Sequence, residues 1–126
     1  MAISESGFFT GSITGVSKDI YIPIGTAASY SSISAIPAGA IVLEVWLNVT
    51  AVYDNAATIR VVVDGIADQE IMAITENEPS VTALYIAHEY IPITVAETGP
   101  VRVDITGVPT VGAANLIVRY VDAFLT

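Results

Sequence analysis

Apolar and polar residues alternate with a period of two along much of the chain, and no segment of ten or more residues shows a convincing helical period. The clearest segment is residues 41–52. Its predicted inward face is formed by Ile41, Leu43, Val45, Leu47 and Val49. Successive side chains of a β-strand point to opposite faces of the sheet, so this alternation predicts a strand. Further strands are predicted at residues 8–13, 18–24, 57–63, 66–75, 101–105 and 115–121, with one long strand or two at 84–95.

Turn-forming residues separate these segments at intervals of about ten residues, as expected for an all-β sandwich or barrel. They include Asp64-Gly65, which suits a tight hairpin turn, and Gly99-Pro100. The expected fold is a single antiparallel β-sandwich, jelly-roll-like, with about eight strands. Residues 8–126 would form the sandwich and residues 1–7 a flexible N-terminal arm. The Ser/Ala-rich residues 26–35 are predicted to form a surface loop, and Pro92 an edge or a bend.

The composition suggests that part of the apolar surface is covered by another chain. Hydrophobic residues make up 53% of the sequence and charged residues 13%, against about 25% charged in typical domains. Large exposed apolar patches usually mark interaction sites. An obligate oligomer or a component of a larger assembly is therefore expected. No apolar run approaches the length of a membrane span, and no secretion signal is visible at the start, so synthesis in the cytoplasm is expected.

The charge balance argues against binding to nucleic acid. The formal net charge is −9, and the cations are Lys18, Arg60, Arg102 and Arg119. Nucleic-acid binding requires Lys and Arg to neutralise phosphates. The acidity is better explained as a means of keeping an apolar chain in solution.

Candidate chemistry is sparse. Cysteine is absent and His88 is the only histidine, so a nucleophilic or histidine-based metal site would have to use it. His88 is interpreted as the polar tip of a strand. Asp64, Asp68 and Glu70 are close in sequence but do not match the calcium-loop pattern, and are interpreted as a solvated acidic loop. No catalytic residue, metal or cofactor is expected, and a small hydrolase is the least favoured function.

Large aromatic residues are the candidates for a contact surface. They are Trp46, Tyr53, Tyr85, Tyr90 and Tyr120. Amphipathic aromatic side chains serve both sugar-binding faces and protein interfaces. Core packing is favoured for Trp46, because its strand is expected to be central.

Residues 36–50, with the sequence IPAGAIVLEVWLNVT, resemble a segment found in small structural proteins of tailed bacteriophages. Residues 100–106 and 113–121 are also similar to that group. The resemblance implies a virion component with no catalytic residues to transfer: a head decoration (cement) protein, a head spike or fibre base, or a tail-associated module.

The function expected from the resemblance is that of a decoration protein which binds and stabilises the phage head. Decoration proteins of this kind often form trimers at capsid symmetry axes, so a homotrimer is expected, with the major capsid protein or other virion proteins as partners. The mature location would be the virion, after synthesis in the host cytoplasm. The alternative is a carbohydrate- or receptor-binding module of a tail or spike, with an exposed aromatic face that includes Tyr30, Tyr53 or Tyr85.

Overall fold

The computed structural model describes residues 17–122, which form nine β-strands and a 3₁₀ turn at Ile74–Glu76. The strands are β1 (Ser17–Ile24), β2 (Ser29–Ile36), β3 (Ile41–Ala51), β4 (Thr58–Asp64), β5 (Asp68–Met72), β6 (Ala83–Ile86), β7 (Ile93–Thr94), β8 (Gly99–Thr106) and β9 (Ala113–Val121). The prediction of an all-β chain is confirmed. The arm predicted at residues 1–7 and the strand at residues 8–13 lie outside the described residues.

The strands form two antiparallel sheets packed face to face. The β1 sheet has the order β1-β9-β3-β6, with β7 also paired to β3, and the β2 sheet has the order β2-β8-β4-β5. Leaving out the two-residue β7, these eight strands follow the order of a jelly roll, in which neighbours in the chain often lie in opposite sheets. The predicted jelly-roll-like sandwich of about eight strands is therefore confirmed.

Alternate residues of both sheets fill one continuous apolar core. In the β1 sheet, Leu47 of β3 lies opposite Leu116 of β9, and neither side chain is exposed. In the β2 sheet, Val61 of β4 lies opposite Val103 of β8 in the same way. Burial of one such side chain contributes roughly 1.5–3 kcal/mol, so this core is the main source of stability.

A β-bulge shifts the side-chain alternation of β3. Val42 pairs with Tyr120 and Glu44 pairs with Arg119, so Leu43 is the extra residue. Val42 is consequently buried and Leu43 is 38% exposed, whereas Val45, Leu47 and Val49 point inward as expected. The prediction that Ile41 and Leu43 share the inward face with Leu47 is wrong, since a bulge moves all residues on one side of it by one position.

The surface loop predicted at residues 26–35 is also wrong, because β2 occupies most of it. This strand pairs with β8 at both of its ends and has a bulge between Ser31 and Ala35. There the Ser32 hydroxyl accepts a hydrogen bond from the Val101 N–H at 3.0 Å. Most side chains of β2 are exposed, which explains why the segment lacks an apolar alternation.

The predicted strand at residues 84–95 forms two short strands, β6 and β7, and both pair with β3. Pro92 lies in the bend between them. The Glu76 carboxylate organises the connections on either side of β6: it accepts hydrogen bonds from the N–H groups of Ala73 at 2.9 Å, His88 at 2.6 Å and Glu89 at 2.9 Å. Its side chain is only 3% exposed. Burial opposes its ionisation, but the three N–H groups outweigh that effect and lower the pKa of Glu76.

Candidate interaction surface

The outer face of the β1 sheet carries a row of large apolar side chains that crosses four of its five strands, β1, β9, β3 and β6. Tyr21 of β1 lies opposite Ile117 of β9, Ile117 lies opposite Trp46 of β3, and Trp46 lies opposite Ile86 of β6. Tyr21 is 60% exposed and Ile86 is 51% exposed, while Ile117 and Trp46 are partly buried between them. Directly opposite side chains on one face are near enough to touch. These four residues, here termed the apolar row, form one continuous ridge.

A second, uncharged row lies beside the apolar row. It runs from Pro23 through Asn115 and Asn48 to Leu84, in the same order of strands. The Tyr21 hydroxyl donates a hydrogen bond to Asn115 Oδ1 at 2.8 Å and so ties the two rows together. The two rows therefore place eight neighbouring residues without formal charge on this face.

Charged side chains bound the apolar row on its other side and pair with one another. Arg119 Nε donates to Asp19 Oδ1 at 2.9 Å, and Arg119 Nη1 lies 3.3 Å from Glu44 Oε1. The hydrogen bond and the positive charge of Arg119 lower the pKa of Asp19. The face thus has an apolar centre with a polar margin, which is the general anatomy of a protein interface.

The outer face of the β2 sheet is different, because two arginines and four carboxylates cover it. Arg102 lies 2.7 Å from Asp68, 2.9 Å from Asp104 and 3.1 Å from Asp64, while Arg60 lies 3.1 Å from Glu70. This network includes all three members of the acidic loop predicted from the sequence, so those carboxylates pair with arginines.

An apolar side chain lies beneath this network. Val62 is fully buried but is not part of the central core. Its opposite residues are Arg102 and Glu70, so the stems of these long side chains lie over it. The charged network therefore shields Val62, although Ile33 of β2 is fully exposed, whereas the β1 sheet leaves the whole apolar row open.

The predicted contact aromatics do not lie together. Tyr53 and Tyr120 are buried in the core, where the Tyr53 hydroxyl donates to Gly25 O at 3.0 Å and burial raises the pKa of Tyr53 to about 12. Tyr85 packs against the core with its hydroxyl 2.9 Å from the carbonyl oxygens of Glu78 and Val81. Tyr90 is on the surface of the connection between β6 and β7. Only Trp46 belongs to the apolar row, which corrects the expectation that it packs in the core.

Three members of the row are absent from the aromatic residues predicted to form a contact surface. Tyr21, Ile117 and Ile86 are far apart in the sequence, and only the register of four strands places them together. The signal that could have found them is an apolar residue at a position where strand alternation predicts a polar one.

In the span 17–122, no group of three or more histidine or acidic side chains is placed to hold a metal ion. The His88 imidazole is largely exposed, and its Nε2 lies 3.9 Å from Glu76 Oε2. Across the same span, none of the helical structure is long and apolar enough to cross a membrane. An open depression of about 330 Å³ lies between the edge strands β1 and β2, lined by residues 19–23 and 31–34.

Acid should destabilise the fold. Hydrogen bonds lower the pKa of Asp54, mainly from Thr110, and of Asp68, mainly from Arg102, and the pKa of Glu76 is also lowered. A carboxyl whose pKa is lower in the folded state binds protons more tightly when the chain is unfolded. Its contribution to stability is therefore complete when the pH is above its ordinary pKa, and it is lost as the pH falls through its folded-state pKa. The ordinary values are 3.8 for Asp and 4.5 for Glu.

We therefore expect the midpoint of thermal unfolding to stay nearly constant from neutral pH to just above 4.5 and to fall steadily below it. Differential scanning calorimetry over this range measures the effect. A midpoint that is unchanged or higher at about pH 3 would contradict the assignment of these three carboxylates.

The fold resembles chains from two bacteriophage capsid structures. A chain of the cyanophage Pam1 capsid asymmetric unit matches with a TM-score of 0.67 at 20% identity, covering 96% of this chain and 95% of that one. A chain of the acid-stable capsid structure of Helicobacter pylori bacteriophage KHP30 matches with a TM-score of 0.62 at 17% identity, covering 87% and 90%. No protein-family model and no curated protein matches the sequence. The similarity is one of fold, and it extends over almost the whole of each chain.

Proposed function

We propose that this protein is a non-enzymatic structural component of a bacteriophage virion, a decoration (cement) protein that binds the assembled head as a symmetric oligomer. The observation that carries the proposal is the fold match over 96% of this chain and 95% of a chain in a phage capsid structure. The match covers nearly all of both chains, so the whole of this sandwich has a counterpart in a capsid structure. The phage resemblance of residues 36–50 points to the same kind of particle.

The open outer face of the β1 sheet supports a binding role. An uncharged apolar ridge with a polar margin is suited to contact with another protein, and the described residues offer no comparable arrangement of reactive groups. The net charge of −9 fits protein partners and opposes contact with packaged nucleic acid. Major capsid protein or other virion proteins, together with further copies of this chain, are the proposed partners, with a trimer as the expected oligomer.

Stabilisation of the head would follow from mass action. A ligand that binds only the assembled shell lowers its free energy by an amount that grows with ligand concentration relative to the dissociation constant. At a concentration one hundred times the dissociation constant, this amounts to about 2.7 kcal/mol per site. Binding alone is sufficient, so no reaction is required of the protein.

The alternative of a carbohydrate-binding module is less well supported. Its expected aromatic face includes Tyr30, Tyr53 or Tyr85, but the Tyr53 side chain is buried. The Tyr30 hydroxyl is occupied by the N–H groups of Gly25 and Ala27, at 2.9 and 3.0 Å. The hydroxyls of Tyr30 and Tyr53 form hydrogen bonds within the fold. These side chains do not line a common surface.

Co-sedimentation with capsids tests the proposal. Heads would be prepared from the parent phage with this gene deleted, and purified protein would be added to them and, separately, to unassembled capsid protein. Saturable binding to the heads alone is expected, at a fixed number of copies per head. Failure to bind heads, or equal binding to unassembled capsid protein, would refute the proposed function.

A further inference from the structure

Charge limits which partners the apolar row can accept. The chain carries a net charge of −9, so two copies repel each other wherever carboxylates face carboxylates. The apolar row and the row beside it contain no charged residue, and Arg119 pairs with both carboxylates at their margin. Among the surfaces of the two sheets, this is the face that an equally acidic copy can approach at least electrostatic cost.

The polar groups on this face also suit an identical partner. Asn48, Asn115 and the Tyr21 hydroxyl can each donate and accept hydrogen bonds. Residues close to a three-fold axis meet their equivalents from the other two copies, so groups with both capacities can satisfy one another there. A face bearing only carboxylates, or only cations, could not pair with itself in this way.

The size of the face is adequate for a stable contact. At about 4.8 by 3.3 Å per residue, strands β1, β9, β3 and β6, of 8, 9, 11 and 4 residues, give a face of roughly 500 Å² before side-chain relief is counted. A standard interface takes about 800 Å² of accessible surface from each partner. The apolar row would form the dry centre of such a contact and the Asp19–Arg119–Glu44 row its rim.

We propose that the outer face of the β1 sheet, centred on Tyr21, Ile117, Trp46 and Ile86, is the contact between copies of this chain. The proposal rests on the proposed function for the expectation that copies associate, and it adds the surface they use. The β2 sheet and the loops then remain free to contact the capsid.

Trp46 makes the proposal directly measurable, because it is the only tryptophan in the chain and lies within the apolar row. Association would remove its indole from water, so its fluorescence emission should shift to longer wavelength as the wild-type protein is diluted through its dissociation constant. Sedimentation velocity on the same samples should show the loss of oligomer over the same concentration range.

Two matched variants locate the contact. Ile86→Glu places a carboxylate at an exposed end of the apolar row, and Ile66→Glu makes the same change at a 95% exposed residue in the turn between β4 and β5. Ile86→Glu should weaken self-association by at least about 30-fold, as the loss of a contact residue that carries binding energy does. The concentration at which the Trp46 emission shifts should rise by the same factor. Ile66→Glu should behave as the wild type, and circular dichroism should show the same strand content in all three proteins.

The results separate this inference from the proposed function. A wild type that is monomeric at about 100 μM, well above the range of specific oligomers, would overturn the inference. An Ile86→Glu variant that stays oligomeric would also overturn it, and loss of head binding by that oligomer would assign the face to capsid protein. If Ile86→Glu dissociates the oligomer but the wild type does not bind heads, the contact between copies stands and the proposed function fails.

Discussion

Replacing Glu76 by alanine should lower the free energy of unfolding by about 3–5 kcal/mol. The change removes the acceptor for three backbone N–H groups, those of Ala73, His88 and Glu89. Hydrogen bonds to a charged group contribute about 1.5–3 kcal/mol each, and donors left without a partner add a desolvation cost. The full sum is not expected, since two of the three donors, those of His88 and Glu89, belong to exposed residues that water can reach.

Urea denaturation measures the effect of Glu76→Ala against two further variants. Glu78→Ala removes an exposed carboxylate two residues away and should change the free energy of unfolding by less than about 0.5 kcal/mol. Glu76→Gln keeps one acceptor oxygen and places an amide donor where the other was, so it should fall between the wild type and Glu76→Ala. Equal stability of Glu76→Ala and Glu78→Ala would show that the carboxylate does not join the two connections.

Replacing Leu47 by alanine should cost about 2–5 kcal/mol, as for other fully buried leucines. Leu47 is 0% exposed and lies opposite Leu116 at the centre of the β1 sheet, so truncation leaves a cavity that neighbouring strands cannot fill. The change should appear as a lower urea midpoint with little change in the slope of the transition.

Leu43→Ala is the matched control, because it lies four residues earlier on the same strand. Strict alternation makes the two residues equivalent, whereas the bulge turns Leu43 outward. Leu43→Ala should therefore cost less than about 1 kcal/mol. Similar losses for both variants would mean that β3 has no bulge and that its side-chain phase follows simple alternation.

The contrast between Leu43 and Leu47 shows which features of the fold can be predicted from the sequence and which cannot. Alternation identified β3, β4, β8 and β9 because every second residue along most of each strand is an apolar residue that faces the core. It does not reveal the bulge, which depends on pairing with β9 and not on the residues of β3 alone. Strand β2 was missed for a related reason: with few inward apolar residues, it is fixed by pairing to β8 and by Tyr30 and Ser32 hydrogen bonds.

The candidate surface was less accessible to sequence reasoning than the fold. From the sequence, aromatic residues are proposed as the contact surface because of their chemistry. That chemistry does not distinguish the buried Tyr53 and Tyr120 from the exposed Tyr21. The apolar row exists only because residues 21, 117, 46 and 86 fall in one register across four strands. A surface assembled from such distant segments requires the topology, which alternation within single segments does not supply.

Thermal disruption of heads with and without this protein tests the central claim most directly, since the proposed role is stabilisation by binding. Gene-deleted heads should lose their integrity at a lower temperature than wild-type heads, and added protein should raise that temperature until the sites are filled. If the added protein is shown to saturate its sites on the heads and the disruption temperature does not change, the account is contradicted.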